Sequence, residues 1–298
     1  MHGVDTAVIA APVRVCLMPP PGRFRPGRAG RNHAPAASEE DILTTQTNAE
    51  SALIGASHAG RAAFVSGSGR NIGRAVAVQL ARQGCNLVIN GARDRAACEE
   101  TARQVEACGA RAVIAMGDMS RAEDIAAIRD TALAAFGRIE IVVNNAAIRP
   151  HKPFLDTSEE DWHAVVNTGL TAAYRTARAF LPGMVEAGFG RIVSMTGMKA
   201  IKGYFEGAPI SASKHGIVGL TRSLATEFGP HGVTVNAVSP GQTLTEGRDG
   251  SGPDIARQIP VGFMGACDDI ASVVTFLCSP EARFVTGQMV GANGGQAT

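Results

Sequence analysis

Between Ala62 and Pro240 the sequence returns again and again to short apolar runs: "AAFVSG", "NLVIN", "AVIAM", "IEIVVNN", "RIVSM" and "VTVNAVSP". Their nearly continuous apolar character leaves no wetted face, the pattern of strands buried on both sides. The runs alternate with segments whose apolar residues recur at helical spacing, clearest over Ala75–Gln83, Ala96–Ala107, Ala122–Phe136 and Ser211–Phe228. Such alternation predicts an α/β chain with a doubly wound parallel sheet and helices on both faces. No internal repeat and no second folded domain can be read in the residues that follow Gly60.

The first 60 residues differ in kind. Residues 1–60 include "PPPGRFRPGRAGRNHAPAAS", which offers too little apolar area to offset the entropy of ordering, and so predict a disordered N-terminal extension. Three consecutive prolines argue against an amphipathic transit helix there, and the apolar stretch before them is too short and interrupted for a signal peptide. No apolar run approaches the roughly 20 residues that span a bilayer. With a formal net charge of +1, the chain is expected to act in the cytoplasm on a small molecule, without nucleic acid or membrane as partner. Cys16, Cys85, Cys98, Cys108, Cys267 and Cys278 form no C-x-x-C pair and read as reduced thiols, and the scattered histidines lack metal-ligand spacing.

"FVSGSGRNIGRAVAVQLARQG" sets Gly67, Gly69 and Gly73 between the first strand and the first helix. A glycine turn that opens a helix exposes backbone N–H groups and the positive end of the helix dipole, which suits a pyrophosphate. Such a triplet alone is equally a turn that needs positive φ. Further segments accompany it: "GDMS", "NNAA", "SPGQTLT" and "VTGQMVGANGG". In this order and spacing they resemble the short-chain dehydrogenase/reductase family over essentially all of 61–298, including members that act as 3-oxoacyl-ACP reductases.

The resemblance implies a Rossmann-type fold and a nicotinamide cofactor. In the glycine loop, Ser66 stands at the family's Thr, Gly67 and Gly73 at the outer glycines, and Asn71 in place of the middle one, with Arg70 and Ile72 beside it. Asp118 and Met119 would meet the adenine, Asn145 and Ala146 would close the fourth strand against the cofactor, and Pro240, Gly241, Thr243 and Thr245 would hold the nicotinamide side. After the second strand no carboxylate stands where one would bond the ribose of NAD; Arg93 is there instead. Arg93 and Arg70 together suit a 2′-phosphate, so NADP is expected over NAD, although both arginines could equally be solvated.

The catalytic positions are less complete. By resemblance Lys214 is the lysine that binds the nicotinamide ribose, and Asn167 the asparagine of the proton relay. The family's serine falls on Gly197 and its tyrosine on Ile210, so two of four groups are missing. Tyr204, between the two vacated positions, is the favoured substitute acid; Thr196, Ser211, Ser213, Lys199 and His215 are weaker candidates, with Thr196 expected to point to the opposite face of its strand. Three readings stay open: an NADP-dependent oxidoreductase with a relocated proton source or a C=C or imine substrate, a non-redox enzyme, and a silent cofactor-binding or assembly subunit. Glu246–Pro260 resembles a short substrate lid that fits a small or open-sided substrate. The family also implies a homodimer or homotetramer, for which Ala172, Ala173 and Ala177 would allow close helix approach, or an internal helix contact equally well.

Overall fold

The seven strands of the computed structural model, which describes residues 57–198, 202–246 and 253–297, form one parallel sheet in the order β3-β2-β1-β4-β5-β6-β7. They are β1 (Ala62–Val65), β2 (Asn86–Ile89), β3 (Ala112–Ile114), β4 (Ile141–Asn144), β5 (Gly190–Met195), β6 (Val233–Pro240) and β7 (Met289–Ala292). The main helices are α1 (Asn71–Arg82), α2 (Arg95–Ala107), α3 (Ala122–Phe136), α4 (Glu159–Val166), α5 (Ala172–Ala187), α6 (Ala208–Phe228), α7 (Pro253–Arg257) and α8 (Cys267–Cys278).

Period-two alternation sorts the strand residues between two cores. Ala63 and Val65 of β1 face Leu80 of α1, Val105 of α2 and Val274 of α8, whereas Ala62 and Phe64 face Ile128 of α3, Phe180 of α5 and Ala225 of α6. Because β1 to β6 feed a core on both sides, their runs carry no polar alternation, which is why they are recognisable by their apolar content alone. The order reverses between β1 and β4, and the crevice beyond their carboxyl ends is where an open α/β sheet accepts a ligand.

Met1–Ala56 lie outside the described residues, and with them almost all of the expected extension. Ser57–Gly60, assigned to that extension by composition, instead join the fold: the His58 backbone N–H donates to Gln83 O at 3.1 Å, and Ser57 Oγ donates to Gln83 Oε1 at 3.1 Å. Composition undervalued this segment because its one anchoring residue is a histidine. The His58 ring is fully buried, and its nitrogens make no hydrogen bond among the described residues.

Burial, with the Arg61 guanidinium adding to it, lowers the His58 pKa to about 4, while the nearby Thr275 carbonyl pulls weakly the other way. The unfolded chain therefore binds more protons than the folded one between about pH 4 and the model-peptide value near 6.5. The stability this neutral ring confers is present above the unfolded pKa and is lost as pH falls through the folded one, a change on the order of 3 kcal/mol. Urea midpoints measured from pH 7.5 to 4.5 are expected to fall more steeply for the native chain than for His58→Leu. Equal slopes would show that His58 does not titrate on unfolding.

Of the expected lid, residues 247–252 lie outside the described set. Beyond α7 the chain returns to the body, with Ile259 buried and the Val261 N–H bonded to Gly294 O. Ala172, Ala173 and Ala177 are buried in α5, so the internal contact, not a subunit contact, accounts for their size. Among the described residues no helix is long and apolar enough to cross a membrane.

Candidate active site

The loop from β1 to α1 is held open by polar side chains that arrive from distant parts of the chain. Ser66 Oγ accepts the N–H groups of Asn145 and Ala146 at 2.9 and 3.0 Å. Asn145 Nδ2 donates to the carbonyls of Ser66 and Gly67 at 3.0 Å each. Asn90, at the end of β2, accepts the Gly67 N–H through Oδ1 and donates through Nδ2 to the Ala115 and Gly117 carbonyls. Four strand ends are thereby locked together by amide and hydroxyl groups, which fixes the loop before any ligand arrives. Asn90 went unrecognised in the sequence; its one signal was a polar residue that ends an otherwise apolar strand.

Gly67 adopts φ +61°, in the left-handed region where a side chain would be strained. Helix α1 then begins with no side-chain cap and no acid in its first turn. Its leading N–H groups and the positive end of its dipole are left for an anion. Asn71, at the position where the family has glycine, takes φ +51° itself and accepts the Glu246 N–H on Oδ1 at 2.8 Å. The substitution thus ties the start of the lid segment to the phosphate loop.

These elements border a cavity of about 970 Å³ along the carboxyl ends of the strands. Gly67, Arg70, Asn71, Ile72, Gly73, Arg93, Asp118, Met119, Asn145, Ala146, Lys214, Pro240, Gly241, Thr243 and Thr245 all line it. Ser66 does not line it and acts from behind, through the backbone it holds. An uncapped helix N-terminus, a backbone cradle and a cavity of this size fit a dinucleotide. The two arginines expected to meet the ribose are not equivalent. Arg70 donates to Asp94 at 2.5 Å, and Asp94 also caps α2 through the Ala97 N–H. Arg93 is exposed and forms no ion pair among the described residues.

At the other end, Ile210 and Lys214 lie one turn apart on α6, and both face the cavity. Ile210 is buried and brings no polar atom; at Gly197 an added Cβ would meet nothing within 4 Å among the described residues. The positions of the expected hydroxyls are thus an apolar wall and open space. Lys214 is buried, and its Nζ donates to Met195 O at 2.7 Å. Burial first, and the Arg149 charge second, bring its pKa down to about 7, so near neutrality the amine holds and releases a proton readily.

Asn167, expected in the proton relay, lines neither this cavity nor the small one behind Lys214. It opens a π-helical turn, Asn167–Thr171, between α4 and α5, and the residue of that turn that faces Lys214 and Ser213 is Gly169. A Cβ at Gly169 would collide with Ser213 Oγ, so the glycine is what lets the turn approach α6. Thr196 borders the cavity, and its hydroxyl is committed to Val238 O at 3.0 Å. His215 Nδ1 pairs with Ser211 O on its own helix. Tyr204 lines the cavity and stacks on His151 with ring centroids 5.0 Å apart. Lys199 lies outside the described residues.

The family model described as enoyl-(acyl carrier protein) reductase matches residues 67–297. The 3-oxoacyl-[acyl-carrier-protein] reductase FabG of Pseudomonas aeruginosa is 37% identical over 240 residues, covering 79% of this chain and 97% of its own; that of Staphylococcus aureus is 31% identical over 239 residues, with 79% and 97% covered. Among solved structures, a provisionally assigned short-chain alcohol dehydrogenase from Sinorhizobium meliloti superposes with a TM-score of 0.75 at 34% identity, covering 80% of this chain and 96% of its own. The NADPH-dependent reductase YwfH of bacilysin biosynthesis gives 0.75 at 27% identity, with 79% and 98% covered. A family model that matches most of the chain, and relatives matched over almost their entire length, place this chain in the short-chain dehydrogenase/reductase family of oxidoreductases.

Proposed function

We propose that the protein is an NADP(H)-dependent oxidoreductase whose catalytic end has been remodelled away from ordinary ketone and alcohol exchange. The observation that carries this reading is the pairing of an intact dinucleotide cavity and a buried Lys214 with two positions, Gly197 and Ile210, that offer no hydroxyl. A loop and helix kept for a cofactor, beside a lysine kept next to its reactive end, fit a redox enzyme better than a scaffold. Resemblance to FabG and to an NADPH-dependent reductase supports the same coenzyme.

Bound there, the nicotinamide would supply or take up a hydride. The chain's own part is to cradle the phosphates on the α1 N-terminus, to hold the ribose with Lys214, and to place a proton. No hydroxyl adjoins Lys214 at the usual site, so the proton comes from the Lys214 ammonium or from Tyr204, which lines the same cavity, or the substrate is an activated C=C or imine that needs none at oxygen. The folded domain proposed for this activity begins by Ser57, and its assembly as a dimer or tetramer in the cytoplasm belongs to the same proposal.

Calorimetry and turnover test it together. NADPH is expected to bind more tightly than NADH, with Arg93→Ala costing about 1–3 kcal/mol of that preference, the range of a charge-assisted hydrogen bond. Arg70→Ala is expected to cost less, because Asp94 already neutralises that guanidinium. NADPH oxidation followed against a panel of carbonyl, enone and imine compounds should respond to an activated acceptor. Equal affinity for the two coenzymes would overturn the NADP assignment. Tight NADPH binding without turnover on any acceptor would favour the silent subunit, the reading to which the two missing hydroxyls also lend weight.

A further inference from the structure

The charges around the cavity are unevenly divided. Its two carboxylates, Asp94 and Asp118, stand at the adenosine end. Both are engaged within the chain, Asp94 by Arg70 and the Ala97 N–H, Asp118 by the Ser120 N–H. At the catalytic end the charged residues among those described are Arg149 and Lys214, with no acid beside them. Like charges that share one cavity oppose each other unless an anion joins them.

Arg149 differs from the other cations of this rim. Lys152 donates to Asp161 at 2.6 Å, and Lys202 donates to Gln296 O at 3.2 Å. Arg149, on the loop after β4, forms no ion pair or hydrogen bond among the described residues, yet its guanidinium lies near enough to be felt at Lys214. Ser211 borders the same cavity, and its buried Oγ has no hydrogen-bond partner among the described residues. A planar fork of donors, a hydroxyl awaiting a partner and a second cation deeper in the cavity form a set of donors with no acceptor between them. The space vacated at Gly197 leaves room for one.

We propose that Arg149, with Ser211 and Lys214, forms an oxyanion subsite, so that the substrate reduced or oxidised here carries a carboxylate or phosphate group close to the reacting carbon. This rests on the oxidoreductase reading and names its substrate class. The guanidinium binds such a group through two parallel hydrogen bonds, and this fixes the orientation that a missing tyrosine and serine no longer impose. Binding of the charged end then positions the reacting carbon against the nicotinamide, where orientation itself lowers the barrier.

The test compares matched pairs by calorimetry on the full chain, with and without NADP⁺, at low ionic strength: acetoacetate against acetoacetamide, and dihydroxyacetone phosphate against dihydroxyacetone. At least one charged member is expected to bind on the order of tenfold more tightly than its neutral partner; which pair shows it separates a carboxylate from a phosphate substrate. Arg149→Met should abolish the difference and Arg149→Lys should keep part of it. Added salt should shrink it. Equal binding within both pairs, no binding of any of the four, or a preference that survives Arg149→Met would each overturn the subsite. These are binding readouts, so an enzyme that binds the anion through Arg149 but never oxidises NADPH would refute the redox reading and leave the subsite standing.

Discussion

Carbonyl reductase activity on simple ketones is expected to appear, or to rise by about 10²–10³-fold, when Gly197→Ser and Ile210→Tyr are combined in one chain. The geometry leaves both changes sterically open. Nothing lies within 4 Å of a Cβ at Gly197, and Ile210 borders the large cavity, into which a longer ring can extend. One turn along α6, Lys214 already stands buried with a pKa near 7, poised to lower the pKa of a phenol placed beside it. A hydroxyl at 210 would supply the matched acid that an alkoxide requires, and one at 197 a donor to the developing oxyanion.

Each change alone should give much less than the pair, because groups that act on one oxygen as a unit are not additive. NADPH oxidation with a small uncharged ketone, measured for the native, single and double variants, reads the effect directly. If the native protein already reduces such ketones at ordinary rates, and Tyr204→Phe leaves those rates unchanged, then the loss inferred at 197 and 210 and the substitute acid are both mistaken. The proton source would then be Lys214 or a residue that no motif marks.

How much of this could be read in the sequence varies with how local the cause is. Strands such as Phe64–Val65 and Val142–Val143 are legible because burial on both faces writes itself as an unbroken apolar run. β7 was identified through the resemblance alone, since "MVGA" is only partly buried and has one neighbour in the sheet. The glycine loop was readable as a cradle, but the hydroxyl and amides that hold it, Ser66, Asn90 and Asn145, meet across separations of 23 to 79 residues. No local pattern carries such pairings. Asn167 shows a different limit: the motif marks the turn, but that the turn is π-helical and brings Gly169 against Ser213 and Lys214 follows only from the folded chain. Arg149 carried no signal at all, because an arginine in a loop reads the same whether it is solvated or lines a cavity.

The glycine triplet gives the last and most severe expectation: Gly73→Ala should reduce NADPH affinity by at least about 100-fold and destabilise the fold by about 1–3 kcal/mol, the usual scale of overpacking. A Cβ there would collide with the Gly67 carbonyl oxygen and come within 2.7 Å of Asn145 Nδ2 and 2.9 Å of Ser68 Cα. None of the three can withdraw freely. Gly67 O accepts from Asn145 Nδ2 at 3.0 Å, and the Ser68 N–H is bonded to Asn90 O at 2.8 Å. The loop would have to open, and its cradle of N–H groups would be lost with it. Gly69 is the internal control, since a Cβ there meets its nearest neighbour, Cys98 Sγ, at 3.3 Å, and a shift of a few tenths of an ångström accommodates it. Gly69→Ala should therefore retain most of the affinity and melt near the native temperature. Calorimetry and thermal melts of the two variants decide the point: native-like NADPH binding by Gly73→Ala would mean that the loop adapts, and that the polar lock around it is weaker than its hydrogen bonds imply.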